Sequence, residues 1–563
     1  MGDPDVDARI SAQYGADGVT PAVWTYTTPH EDTEQYDANG RLIALTARTG
    51  ASQRFTYSDG ASNDTSVARL PADAPVCPNV QAGAVIKAGL LVCVTDNWNR
   101  QVQYEYDALG RVVKAYDPAN QAYLYAYDGS TGGCVLDGTT NKACSAGNLT
   151  QVTYPDGKKK TYHYNERARI NDGSNCTNNV TNISVTYGHL LNALTGITDE
   201  KGVRYASWDY SCKGAVVGSE HAGGVDKVRI AYGTRAADGS QTNTVTSYLG
   251  TTASPATIVR NYHFKVILGV AKGDTLDQPC AGCDGMMART YDANGNVSTA
   301  RDWNGNQTNY TYDLARNLET RRVEAAGSSV ARTITTEWHP TLRLRARMAE
   351  PLRITTYTYD ANGNLATRSV QPTTDASGAQ GFSATADGTA RNWAYTYNDL
   401  GQVTSVAGPR SATTTYTYDS EGRLATVTNA AGHITSLSNY DANGRLGRIT
   451  DPNGLVTDMT YTPRGWLASS TTGGESTVYE YDGVGQLTKA TLPDGAWVSY
   501  TYDAAHRLTA IADRNGNSVT YTLDLAGNRI GEQVKDSSGV LARQISRTYN
   551  TLNRLTQITG ALQ

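Results

Sequence analysis

Cys280-Ala281-Gly282-Cys283 has the spacing that ligates zinc or cycles between dithiol and disulfide. A zinc site needs two further ligands, and neither a second such pair nor a paired histidine accompanies it. A redox role would need a βαβ setting, and the flanking sequence has none. The recurrent Asp-x-Asn-Gly runs begin like calcium loops, but they lack the distal glutamate that completes one. The eight histidines (His30, His163, His189, His221, His263, His339, His433, His506) are scattered without metal-ligand spacing. His339 and His506 fall inside a repeated motif, which favours a structural role. HExxH, GxSxG, Walker A and GxGxxG strings are all missing. The reading assigns no catalytic residue, no cofactor-binding residue, no metal ligand and no cofactor, and expects a protein that is not an enzyme.

What the chain does contain is a repeat. A tyrosine, an aspartate, two variable residues, a glycine, a polar or basic residue and an apolar one recur about every 21 residues. Clean copies are Tyr291-Asp292-Ala293-Asn294-Gly295-Asn296-Val297, Tyr359-Asp360 to Leu365, Tyr418-Asp419-Ser420-Glu421-Gly422-Arg423-Leu424, and Tyr440-Asp441 to Leu446. From Tyr291 the first position is held by Tyr291, Tyr312, Trp338, Tyr359, Tyr397, Tyr418, Tyr440, Tyr461, Tyr481, Tyr502, Leu523 and Tyr549. Three longer steps read as loop insertions. Tyr36 and Tyr106 open earlier copies.

Inside a unit the pattern has period two. Tyr416-Thr417-Tyr418 and Tyr500-Thr501-Tyr502 put two aromatics on one face and a polar residue on the other. The Asp-x-Asn-Gly that follows is turn chemistry, because glycine takes positive φ without a Cβ penalty and aspartate caps the turn with its side chain. A second turn lies half a period later, as at Asp302, Asp451 and Asp513. Two strands and two turns make each unit an antiparallel hairpin. About forty strands at ~4.8 Å make a ribbon ~190 Å long, which exceeds what an open twisted sheet sustains. The expected fold is all-β, with repeated hairpins in a ribbon wound into a spiral, hollow shell or barrel. The arginine after the glycine (Arg41, Arg111, Arg423, Arg445) either stacks on a tyrosine of the next unit or is a solvated turn residue.

Lys+Arg 49 against Asp+Glu 54 leaves a net charge of −5, so no basic excess points to nucleic acid or anionic lipid. The 36 tyrosines against 3 phenylalanines suit wide, half-wet sheet faces better than a thick dry core. No apolar run is long enough to span a bilayer, and Met1 to Asp5 shows no signal-peptide pattern. All eight cysteines lie between Cys77 and Cys283, in sequence-near couples Cys77/Cys93, Cys134/Cys144, Cys176/Cys212 and Cys280/Cys283. Their even number in loop-rich insertions favours disulfides and an oxidising compartment over free thiols. Trp98, Trp303, Trp393 and Trp497 are the aromatics read as candidates for an exposed, carbohydrate-stacking surface.

These motifs resemble the YD repeats of the RHS family, which includes bacterial Rhs polymorphic toxins, Tc toxin shell subunits, wall-associated proteins and teneurins. The match covers most of Tyr36 to Leu555. The resemblance implies a hairpin ribbon wound into a hollow shell that, in toxin members, encloses a C-terminal effector. It also implies a possible cleavage element, since Asp451-Pro452-Asn453-Gly454-Leu455 matches the Asp-Pro-x-Gly-Leu string associated with self-cleavage. That string sits at the half-period turn, with about a hundred residues of ordinary repeat after it. A turn is the better reading.

The organisation expected is a lead-in over 1–30, a repeat region with cysteine-bearing insertions over 31–290, and a regular array over 291–563 continuous with it. The expected function is a non-enzymatic shell segment of an exported RHS-type protein that encapsulates or presents a toxin or effector. The alternative is a cell-surface adhesin or extracellular fibre whose tyrosine-rich faces bind protein or carbohydrate. Expected partners are effector cargo or secretion machinery outside this chain, self-association through edge strands, and carbohydrate. The location is secreted or cell surface.

Overall fold

The computed structural model describes residues 8–29, 31–58, 60, 77, 86–128, 147–170, 176–177, 184–185, 190–279, 285–550 and 552–562. Cys134, Cys144, Cys280 and Cys283 lie outside them, as do His30 and His189. Within them 42 strands form one sheet, and each pairs antiparallel with the strand before and after it. The ribbon begins with a hairpin of Arg9–Tyr14 against Pro21–Thr27 and ends with Arg543 to Leu562 paired across Leu541–Tyr549 and Leu555–Leu562. The helical segments among the described residues are three 3₁₀ turns.

One unit shows why the motif repeats. Thr413–Tyr418 pairs with Leu424–Thr428, placing Tyr416 opposite Val427 on one face and Thr417 opposite Thr426 on the other. On the second face the two threonine hydroxyls lie 2.7 Å apart, and the same contact recurs at Thr358–Thr367, Thr396–Ser405 and Thr460–Ser469. In the turn, Asp419 Oδ1 accepts the amides of Glu421 and Arg423, both at 2.9 Å. Gly422 takes φ 69°, where a Cβ would be strained. Asp419 Oδ2 accepts Arg423 Nε at 2.8 Å, and that guanidinium lies 5.0 Å above the ring of Tyr440 in the next unit. The same stack joins Arg41 to Tyr57, Arg111 to Tyr127 and Arg445 to Tyr461, so this arginine is a stacking residue and not a solvated one.

The motif tyrosine has a second task. Its hydroxyl donates to the main-chain carbonyl of the apolar residue that closes the preceding motif. Tyr418 donates to Val403 at 2.8 Å, Tyr440 to Leu424 at 2.6 Å, Tyr461 to Leu446 at 2.8 Å and Tyr502 to Leu487 at 3.0 Å. Trp338 does the equivalent with its indole N–H, 2.8 Å from the Glu319 carbonyl. Unit-to-unit adhesion therefore needs an aromatic ring with a donor at its tip, which explains why tyrosine so outnumbers phenylalanine. Tyr418→Phe keeps the ring and removes only the donor. It is expected to cost about 1 kcal/mol in urea unfolding, the usual size of one such bond.

Most motifs also carry a bulge. Thr417 pairs with Thr426 but Tyr418 pairs with Leu424, so Ala425 is extra. The same slip occurs at Tyr397, Tyr461, Tyr481, Tyr502 and Tyr549. A bulge bends its strand and increases local twist. Repeated at one end of most hairpins, it curls the ribbon instead of leaving it flat.

The ribbon has little dry core. Among the described residues the largest fully buried side chains are Ile170, Thr195 and Cys93, as befits a thin wall wetted on both faces. A buried patch lies where residues 373–390, the longest loop insertion after Tyr291, fold back over Arg332–Trp338 and Arg345–Glu350. There Thr333 N donates to Ser377 O at 2.8 Å, and Arg347 lies 4.3 Å above the Phe382 ring. A disulfide joins Cys77 to Cys93, a connectivity that the sequence leaves open, and Cys212 is disulfide-bonded as well.

Candidate functional surface: the seam between circuits

Strands that run along the axis of a coil put one set of turns at each rim. In this chain the Tyr-Asp turns lie at one rim and the half-period turns at the other. When a second circuit is laid on the first, Tyr-Asp turns must meet half-period turns. Among the described residues the long-range polar contacts between circuits have that form. Arg48, in a half-period turn, bonds the carbonyl of Gly363, 315 residues later. Asn443 Nδ2 donates to Asp117 Oδ2 at 2.9 Å across 326 residues, and Asn443 Oδ1 accepts the Ala119 amide at 3.1 Å. His506 Nε2 meets Asp199 Oδ2 at 2.7 Å across 307 residues. Leu525 N donates to Gly250 O at 2.6 Å, and Asp226 N to Leu525 O at 2.8 Å. The partners advance together along both circuits, so this is a spiral with its second turn in register on its first.

The densest part of the seam surrounds Glu200, whose side chain is only 2% exposed. Arg464 Nη2 donates to Glu200 Oε1 at 2.9 Å, and its Nη1 to the Gly483 carbonyl at 2.6 Å. The Arg464 guanidinium also lies 3.9 Å above the Tyr154 ring and 4.7 Å above Trp466. Lys160 Nζ stands 3.6 Å from the same carboxylate. Burial opposes the Lys160 charge, but the Glu200 carboxylate and the Tyr154 phenol outweigh it and hold the ammonium above the usual lysine range. Lys201 closes the group with a 3.2 Å contact to Asp482. The arrangement is an ion network that clamps two circuits.

His506 occupies the glycine place of its motif, Tyr502-Asp503-Ala504-Ala505-His506-Arg507-Leu508. It takes φ 64°, a left-handed value costly for a side-chain-bearing residue. Its ring stacks on Tyr205 at 4.1 Å and 10° while it meets Asp199. The departure from glycine was visible in the sequence and marks a seam contact, in keeping with a structural role for this histidine. Arg464 and Glu200 carried no such signal, because each sits at a variable turn position.

Other singled-out residues fall elsewhere. Asp451 lies in the turn between Arg448–Thr450 and Val456–Tyr461, and its Oδ1 accepts the amides of Asn453 and Leu455, both at 2.8 Å. Asp302 and Asp513 cap their turns in the same way. Of the four tryptophans read as exposed candidates, none is exposed. Trp98 sits in the seam against Gly422, Trp393 lies under Arg368, Trp497 beside Lys489, and Trp303 is half-buried. The exposed tryptophan among the described residues is Trp24. Among the described residues no helix is long and apolar enough to cross a membrane.

Residues 382–524 match the family model of the teneurin YD-shell. No curated protein matches the sequence. Among solved structures, the chain is similar to the crystal structure of TcdB2-TccC3-Cdc42, with 13% identity and a TM-score of 0.54. It is similar in the same degree, with 14% identity and a TM-score of 0.54, to the structure of a Photorhabdus luminescens Tc holotoxin pore. In both cases 95% of this chain is covered and 27% of the other, so the chain spans about a quarter of the length of the structures it matches.

Proposed function

We propose that this chain, whose residues 382–524 match the teneurin YD-shell model and whose motif also runs outside that segment, is an RHS/YD-repeat protein that forms part of a hollow wall isolating a passenger polypeptide. The observation that carries the reading is the ordered seam, because contacts at separations of 315, 326 and 307 residues are what a coil closing on itself requires. One circuit takes about twenty strands, which at ~4.8 Å each gives a perimeter of ~100 Å and a diameter of ~30 Å. A single sheet is ~10 Å thick, so a lumen remains inside. The wall acts by geometry and without catalysis, and the segments 31–290 and 291–563 make one continuous shell. A toxin or effector as the passenger, and export to an extracellular or cell-surface location, fit the similarity to Tc complexes and the disulfide at Cys77–Cys93.

Images of the purified chain by electron microscopy test the wall. A two-circuit ring with a central void is expected, and a solid rod or an extended ribbon would sink the proposal. The non-catalytic reading has its own check. After days of incubation the chain is expected to run as one intact band, and fragments cut beside Asp451 would contradict it.

A second reading, self-association into a fibre, draws on the two end strands. Ile10 is 70% exposed on Arg9–Tyr14 and Ile558 is 58% exposed on Leu555–Leu562. Apolar edge strands are templates for pairing with another copy. Light scattering across a dilution series separates the readings: polymers that persist on dilution support the fibre, and monomers support the wall.

A further inference from the structure

The seam joins two kinds of surface, and the coil presents each of them a second time. Half-period turns of the first circuit receive Tyr-Asp turns of the second, as at Asp117 and Asn443 or Asp199 and His506. The half-period turns of the second circuit form one outer rim of the coil, and the Tyr-Asp turns of the first circuit form the other. The half-period turn has the same hydrogen bonds in both circuits. Asp117 N donates to Gln121 O at 3.1 Å and Asn120 N to Asp117 O at 2.9 Å. Asp451 N donates to Leu455 O and Gly454 N to Asp451 O, both at 3.0 Å. The turn that seats a Tyr-Asp turn at the seam is therefore repeated on the half-period rim.

What differs is the cover. Arg100, Gln121 and Val203 close half-period turns at the seam and are half-buried. Leu455 and Val540 hold that closing place on the outer rim and are 48% and 61% exposed. Ile434 and Leu492, beside two more of these turns, are exposed as well. On the opposite rim Leu109 is 63% exposed. It holds the third place of its Tyr-Asp turn, the place from which Asn443 and Arg464 make their seam contacts. Apolar side chains exposed together along an edge mark an association surface.

We propose that the half-period rim is a docking surface for the Tyr-Asp rim of a second copy of this chain, so that copies stack head to tail on one axis. The contact repeats the seam between molecules, with Leu109 of one copy facing the row that holds Leu455 and Val540 on the next. The area suffices. A circuit of rim ~100 Å long and ~10 Å thick offers ~1,000 Å² per partner, against the ~800 Å² of an ordinary stable interface. The proposal rests on the coiled wall and adds what seats on its rim.

Sedimentation of the full chain across about 1–200 µM is the test. The mass is expected to rise above the 60.3 kDa of one chain and to return to it on dilution, which separates a stack from a persistent edge-paired fibre. Leu455→Asp with Val540→Asp damages one rim, and Leu109→Asp damages the other. Each variant is expected to associate at least about tenfold more weakly. All three side chains are exposed, so the sheet should survive, and circular dichroism checks that it does. A head-to-tail contact pairs unlike surfaces. An equal mixture of the two variants is therefore expected to form dimers and nothing larger, because one intact pair of rims remains. A chain monomeric at about 200 µM, rim variants that associate as before, or a mixture that stays monomeric would each overturn the proposal. So would association lost in Ile558→Lys but kept in the rim variants, which would assign it to the end strands. In micrographs at the same concentration, single rings with a void would leave the wall standing without the stack, and particles with no void would remove both.

Discussion

Arg464→Ala is expected to open the seam while leaving the hairpins standing. The side chain it removes stands against Glu200, which is 2% exposed and 264 residues away. Taking one partner from a buried pair leaves a charge without compensation, typically at 3–5 kcal/mol. Lys160, at 3.6 Å, still faces the carboxylate, so a loss near the lower end, about 3 kcal/mol, is expected. The substitution also removes the stacking on Tyr154 and Trp466. Hydrogen exchange should report it as a local event. Amides around residues 154–160, 199–205 and 464–483 should lose protection together, while 413–428 keeps theirs. A loss under about 1 kcal/mol, or one spread evenly over the chain, would show that the circuits do not depend on this clamp.

Alkaline pH should dismantle the ribbon cooperatively. Burial pushes the phenols of Tyr106 and Tyr312 up to about 12. Burial also raises the motif tyrosines Tyr359, Tyr397, Tyr418, Tyr440, Tyr481 and Tyr502 above the usual phenol range. A group whose pKa is raised by folding stabilises the fold in its protonated form. That contribution is complete below the unfolded value of about 10 and is lost as pH climbs through the folded value, toward 12. At Tyr106, Tyr359, Tyr397, Tyr418, Tyr440, Tyr481 and Tyr502 ionisation also deletes the proton donated to the preceding unit, so each event loosens a neighbour. Phenolate absorbance and circular dichroism, followed together from pH 9 to 13, should change in one steep step above about pH 10. Gradual phenol titration near 10 with the sheet signal intact would mean that the phenols do not hold the units together.

The hairpin was legible because its determinants are local. Asp419, Gly422 and the alternation around Tyr416 and Tyr418 act within a few residues of one another, and the strand total then forced a coil. That the cysteines form disulfides was favoured by their even number, but the bond from Cys77 to Cys93 was not legible, because sequence spacing does not fix which thiols meet. The stacking of Arg423 on Tyr440 was left open, because whether an arginine meets a ring one unit away depends on strand register. The exposed-tryptophan reading failed at Trp98 on the same ground, since a turn residue becomes a seam residue only when another circuit lies on it.

By itself, then, the sequence determined the unit, its two turns, the antiparallel ribbon and the need for that ribbon to wind. Only the tertiary structure decided how far the ribbon runs before it meets itself, and which turns touch when it does. Circuit length is a sum of small bends at many bulges, and no single residue encodes it. Glu200 and Arg464 are ordinary turn residues in their own units. They become a buried pair only because the accumulated curvature brings residues 264 apart to the same place.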